Sequence, residues 1–113
     1  MKRAANPKQE LRPTYIRQWR EYRGLSQDRL VERMREFVQG FSKSTLSRIE
    51  NSKQAYTQHV LEALANALNC EPADLIMRDP NSKVWTIMDT LRQLPPEKQE
   101  VVAAMIEGLK TAA

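Results

Sequence analysis

The chain has 113 residues, with 18 Lys and Arg against 14 Asp and Glu, a net charge of +4, 41% hydrophobic residues and 6% aromatics. That length suits one domain or one domain with an appendage; no apolar run nears the roughly 18 residues of a membrane span, and Cys70, the one cysteine, excludes an internal disulfide. Residues 1–55 hold thirteen Lys and Arg against six Asp and Glu, a balance of +7, and residues 56–113 hold five against eight, a balance of −3, so a polyanion would be met by the first half.

Residues 1–12 mix Lys, Arg, Asn, Pro and Gln without periodicity and read as a basic flexible arm, with no apolar block behind "MKRAANPKQELRP" that would make it a secretory signal. Pro13 is suited to start a helix, and Thr14 to Tyr22 carries Ile16 and Trp19 three apart. Gly24 ends that helix in a left-handed turn, Leu25 plugs inward, and Ser26 caps a second helix from Gln27. Leu30 and Met34 face its core, joined by Phe37 and Val38 if the helix runs that far. Gly40 breaks the pattern, and Ser42 caps a third helix to about Asn51.

The loop "SKQAYTQ" leads to a fourth helix, where Leu61, Leu64, Ala65 and Leu68 fall on one face. Asn69 or Cys70 closes it, Pro72 opens a short fifth turn, and Cys70 reads as a small apolar filler. "RDPNSK" marks a boundary. Beyond it Ser82 caps "KVWTIMDTLRQL", and Pro95-Pro96 opens "EKQEVVAAMIEGL". The expectation is an all-α chain of five helices plus a helical hairpin: an arm over 1–12, a five-helix domain over 13–78 and the hairpin over 79–113.

The third helix raises the functional question. Leu46 and Ile49 lie on one side of "FSKSTLSRIENSK", while Lys43, Ser44, Ser47 and Arg48 fall on or near the other. Two short helices joined by a turn, the second polar on its outer face, can enter a DNA major groove, which is about 12 Å wide. Arg48 is suited to pair with guanine O6 and N7, and the serines with either role or a thymine methyl. Arg3, Lys2, Lys8 and Arg12 give the arm a charge for phosphates or a minor groove, or simply for water.

"GLSQDRL" followed by "STLSRIENSK" resembles the lambda repressor-like helix-turn-helix family (XRE, Cro-type) of bacterial and phage transcriptional regulators, over roughly Tyr15 to Met77. The Ser-Gln opening helix two and the Arg-Ile-Glu-Asn closing helix three are its most specific elements, and "VLEALANALNCEPADLI" resembles the family's next segment. The resemblance implies base reading by Lys43, Ser44 and Arg48, with Ser47 beside them. It implies phosphate contacts by Gln27 and Lys53, with which Ser42 and Arg3 are counted. It also implies a buried ion pair between Arg20 and Glu50.

One departure matters. The family passes from helix two to helix three through a short Gly-x-Ser turn, whereas here "REFVQ" intervenes before "GFS". These five extra residues either prolong helix two by a turn, burying Phe37 and Val38, or form a bulged loop with Phe37 partly exposed. Either alters what Arg35 can touch. The loop before helix four is also long, which leaves Tyr56, Gln58 and His59 without an assigned role beyond a surface position for His59.

In the hairpin, Val84, Ile87, Met88, Leu91 and Leu94 form one stripe, and Val101, Val102, Met105, Ile106 and Leu109 another, with Trp85 an added aromatic. These faces either pack back on the domain or meet a second copy. A homodimer is preferred, with Trp85, Met88, Leu91, Val102, Met105, Ile106 and Leu109 at its interface. The reading is a cytoplasmic, nucleoid-associated repressor that binds double-stranded DNA at an inverted repeat. The alternative is an antitoxin or interaction module whose hairpin binds a partner protein. One histidine, one cysteine and no glycine-rich phosphate loop supply no nucleophile–base pair or metal cluster, so no enzyme activity, metal, cofactor, membrane or small-molecule ligand is expected.

Overall fold

The structure, a computed structural model, describes residues 10–112. Among them it contains seven helices and no strand: α1 (Ile16–Tyr22), α2 (Gln27–Met34), α3 (Lys43–Glu50), α4 (Gln58–Leu68), α5 (Pro72–Met77), α6 (Lys83–Arg92) and α7 (Pro96–Thr111). The all-α expectation is met. The chain divides into two compact units between Pro80 and Asn81.

Local chemistry explains most helix starts. Ser26, Ser42, Thr57 and Ser82 each accept a hydrogen bond from the backbone N–H three residues on, at 3.1 to 3.2 Å, which satisfies a donor that the first helical turn leaves orphaned. Gly24 and Gly40 sit at φ of +72° and +76°, where a Cβ would be strained, so these two positions reverse the chain. Asn69 ends α4 in the left-handed region at φ +54°, which asparagine tolerates better than most residues.

The first unit folds around α4, which packs against α1, α2 and α5, while α2 also packs against α3. Ile16, Trp19, Leu30, Met34, Leu46, Leu64, Leu68 and Leu75 are almost wholly buried. Val31 and Phe41 join them. The Trp19 Nε1–H donates to the carbonyls of Asp74 and Arg78 at 3.1 and 2.9 Å, tying α1 to both ends of the α5 exit. Two arginines close the open end of α4. Arg23 donates to the carbonyls of Leu68 and Asn69, and Arg33 to that of Ala67, where cations also meet the negative end of the helix dipole.

One expectation needs correction, and one pair of alternatives is decided in favour of the loop with Phe37 partly exposed. The first helix starts at Ile16, not near Pro13, and the Tyr15 N–H before it donates to the carbonyl of Leu75 at 2.7 Å. Residue 15, the N-cap, lies at φ −106° and ψ 20°, outside the helix. The second helix is not prolonged: it stops at Met34, whose carbonyl accepts from both Phe37 and Val38 at 2.9 and 2.8 Å. Phe37 is left 44% exposed and Val38 half-buried. The aromatic that enters the core from this segment is Phe41, past the reversal at Gly40.

Cys70 is half-buried. Burial, then Asp74 and to a lesser degree Glu71, push its thiol from 9.0 up to about 12, against a smaller opposing pull from Arg23. A thiol held neutral is a poor nucleophile, so alkylation at pH 8 should be about ten-fold or more slower in the folded chain than in urea. Equal rates in the two states would contradict this placement. Since the folded value lies above the unfolded one, Cys70 favours the folded state below about 9. That contribution is lost as pH rises toward about 12.

In the second unit, Gln99 Nε2 near the start of α7 donates to the carbonyls of Leu91 and Leu94 at 3.1 and 3.0 Å, which joins it to the end of α6. No described residue of either helix is buried.

Candidate nucleic-acid interface

The lengthened joint between α2 and α3 covers residues 35–42 and forms successive turns. It is pinned from outside by His59, whose Nε2 lies 2.9 Å from the Phe37 carbonyl. The residue left without a role in the sequence thus ties the joint to the first turn of α4. Arg35 caps the C-terminus of α2 and is exposed.

The joint delivers α3 with Leu46 and Ile49 buried at 0% and 2% exposure. Lys43, Ser44 and Arg48 are exposed on its outer side, and Ser47 is half-buried beside them. Residues four apart on a helix are neighbours, so Lys43 with Ser47 and Ser44 with Arg48 form a polar strip. Lys43 Nζ lies 3.5 Å from Asp28 of α2, both well exposed. Such a pair contributes little to stability.

Behind the strip lies a buried polar lock. Arg20 Nε and Nη2 donate to the two oxygens of Glu50 at 2.6 and 3.2 Å. The two side chains are only 10% and 2% exposed. Arg20 Nη1 donates to the Leu25 carbonyl at 2.9 Å, and Gln27 Nε2 to Glu50 Oε1 at 3.0 Å. One carboxylate therefore joins α1, the turn after it, the start of α2 and the end of α3. The pairing is two-pronged, which fixes direction as well as distance.

The residues expected to touch phosphates divide. Gln27 directs its amide N–H inward at Glu50, so an outward contact from this position falls to the first-turn backbone N–H groups of α2. Ser42 uses its hydroxyl within α3, accepting from the Thr45 amide and lying 3.0 Å from Thr45 Oγ1. Lys53 is exposed, and its backbone N–H returns to the Arg48 carbonyl at 2.8 Å. Arg12 is exposed as well, and its carbonyl accepts from Ser52 Oγ at 3.4 Å, which lays the end of the arm against the loop after α3. Arg3, with Lys2 and Lys8, lies outside the described residues.

Arg48 is held by two neighbours that the sequence did not single out. Its Nε donates to Gln54 Oε1 at 2.7 Å and its Nη2 to Thr45 Oγ1 at 3.5 Å. Gln54 follows a left-handed residue, Ser52 at φ +58°, in a loop with no periodicity, so no local pattern could have brought it to Arg48. Thr45 was legible in principle, since it sits three residues before Arg48 on the same helix.

In the second unit, Val84, Ile87, Val101, Met105, Ile106 and Leu109 are each more than half exposed. Trp85, Met88, Leu91 and Val102 are half-buried.

A scan against protein families matches a helix-turn-helix domain over residues 14–76. No curated protein and no solved structure matches the chain.

Proposed function

Because the chain belongs to the helix-turn-helix domain family, we propose that it is a sequence-specific transcriptional repressor that binds an inverted repeat in double-stranded DNA as a homodimer. The observation that carries this reading is the outer strip of α3: Lys43, Ser44, Ser47 and Arg48 stand on the face opposite Leu46 and Ile49. A helix so oriented presents its polar side chains to base edges when it lies in the major groove. Lys53, Arg12 and the first-turn amides of α2 would position it on phosphates, which carry affinity but not sequence.

One such helix reads only a few base pairs. The hairpin over 79–113 supplies the means to pair two. Its exposed apolar residues form stripes on two helices, and apolar surface of that kind marks an association site. A two-fold dimer would set two α3 helices about one DNA turn apart, on half-sites of opposite direction.

Selection of bound duplexes from a random-sequence pool at near-physiological salt tests the reading. An inverted repeat should be enriched, with binding that weakens steeply as salt rises. Unrelated sequences would sink it and leave the hairpin as a surface for a different protein. Against the enriched site, Arg48→Ala should cost about 1–3 kcal/mol of binding and relax the preference at one base pair in each half-site. Unchanged preference would remove Arg48 from the base-reading face.

A further inference from the structure

We propose that Gln54 is a positioning residue that decides which edge of the Arg48 guanidinium is offered to a base, and thereby sets the preference at the base pair that Arg48 reads. The inference rests on the base-reading role of α3 given above. A guanidinium has two edges that can donate a parallel pair of hydrogen bonds: the side edge, Nε with Nη2, and the end edge, Nη1 with Nη2. In this protein the side edge is occupied. Gln54 Oε1 takes the Nε–H at 2.7 Å, and Thr45 Oγ1 lies 3.5 Å from Nη2. Both Nη1 hydrogens and one on Nη2 remain, so Arg48 meets DNA end-on, with the two donors that match guanine N7 and O6.

The clamp is built rather than incidental. Thr45 Oγ1 is itself 3.0 Å from Ser42 Oγ, the cap of α3. Gln54 is brought back toward α3 by the left-handed turn at Ser52 and by the Lys53 N–H bonded to the Arg48 carbonyl. Gln54 is half-buried and lines an apolar groove together with Leu11, Ile49, Tyr56 and Ile76. Arginine carries only donors, so the amide must turn its oxygen to Arg48 and its NH2 away. A neutral partner holds the guanidinium without cancelling the charge that draws it to DNA. Ordering a long side chain before binding removes an entropic cost that would otherwise weaken recognition.

The test measures binding of the parent, Gln54→Ala, Gln54→Glu, Arg48→Ala and the Arg48→Ala/Gln54→Ala double variant to the enriched duplex and its single base-pair variants. Gln54→Ala should reduce discrimination at the Arg48 base pair about three- to ten-fold, with discrimination elsewhere, the affinity for random duplex and the melting temperature nearly unchanged. Gln54→Glu keeps the acceptor, so it should keep that preference while binding every duplex more weakly through its added charge. The double variant should discriminate no worse than Arg48→Ala, because the two residues act as one unit. Retained preference in Gln54→Ala alongside lost preference in Arg48→Ala would overturn the role of Gln54 and leave the base-reading face standing. Retained preference in Arg48→Ala would overturn both. A uniform loss of affinity with a lowered melting temperature in Gln54→Ala would reduce Gln54 to a loop-stabilising residue.

Discussion

Glu50→Ala is expected to destabilise the helix-turn-helix domain by about 3–5 kcal/mol, measured by urea unfolding followed with far-UV circular dichroism. The Glu50 side chain is 2% exposed and accepts from three donors, two on Arg20 and one on Gln27. Removing it leaves the Arg20 guanidinium, 10% exposed, facing an apolar methyl group with its charge uncompensated. That uncompensated charge dominates the cost, since the net worth of a buried pair is small once the desolvation of both ions is counted.

A second variant separates these contributions. Replacing both partners, Arg20→Met with Glu50→Leu, should be far less harmful than Glu50→Ala, because no charge is then left buried. The double variant would still lose the directional tie between α1, α2 and α3. Weakened sequence preference in a chain of near-parental stability is therefore expected of it. A cost below about 1 kcal/mol for Glu50→Ala would mean that water reaches Arg20 and that the lock does not hold α3 in place.

Trp19→Ala should cost a similar amount, about 3–5 kcal/mol, by the same measurement. Trp19 is 1% exposed and is the largest of the fully buried side chains. Its ring meets Tyr22 edge-on at 5.7 Å and carries the Arg23 guanidinium 5.2 Å from its centroid. Truncation removes this apolar volume and opens a cavity between α1 and the chain leaving α5. The indole N–H makes a separable contribution. Trp19→Phe keeps most of the volume but strips a donor from the carbonyls of Asp74 and Arg78, and should cost about 1–3 kcal/mol. Equal costs for the two variants would assign the whole effect to the hydrogen bonds, and a negligible cost for Trp19→Phe would assign it to packing.

The two variants also differ in what they should do to DNA binding. Trp19 lies at the α5 side of α1, whereas Glu50 contacts the start of α2 from the end of α3. Loss of sequence preference in chains that remain folded should accordingly follow Glu50→Ala more closely than Trp19→Phe.

Much of the fold could be read locally. Ser26, Ser42 and Ser82 were recognisable as caps because the bond each makes reaches only three residues along the chain. The stripe Leu61, Leu64, Ala65 and Leu68 was recognisable because helical periodicity places those residues on one face whatever lies opposite. The reversal at Gly40 was equally local, since a positive φ is a property of one residue. The polar strip of α3 followed from the same periodicity once Leu46 and Ile49 were assigned inward.

The misplaced boundaries and unassigned contacts depend on partners distant in sequence. Phe37 and Val38 continue the apolar spacing of α2, and nothing in that spacing shows that the chain turns at Met34 and sends Phe41 inward instead. Tyr15, just before α1, donates to a carbonyl sixty residues on, at Leu75. The Gln27 amide is drawn inward by Glu50, 23 residues away. His59 reaches back 22 residues to the joint, and Arg23 forward 45 and 46 to the end of α4. Gln54 is only six residues from Arg48, yet the intervening left-handed turn breaks the periodicity that would relate them. The sequence by itself determined which segments are helices, where most begin and which faces are apolar, because those depend on bonds and side-chain directions within about one turn. Beyond the local caps and the Arg20–Glu50 pair implied by the family resemblance, tertiary structure decided which polar groups meet. A buried donor must find an acceptor wherever the packed chain provides one, and that position depends on how all the helices pack together.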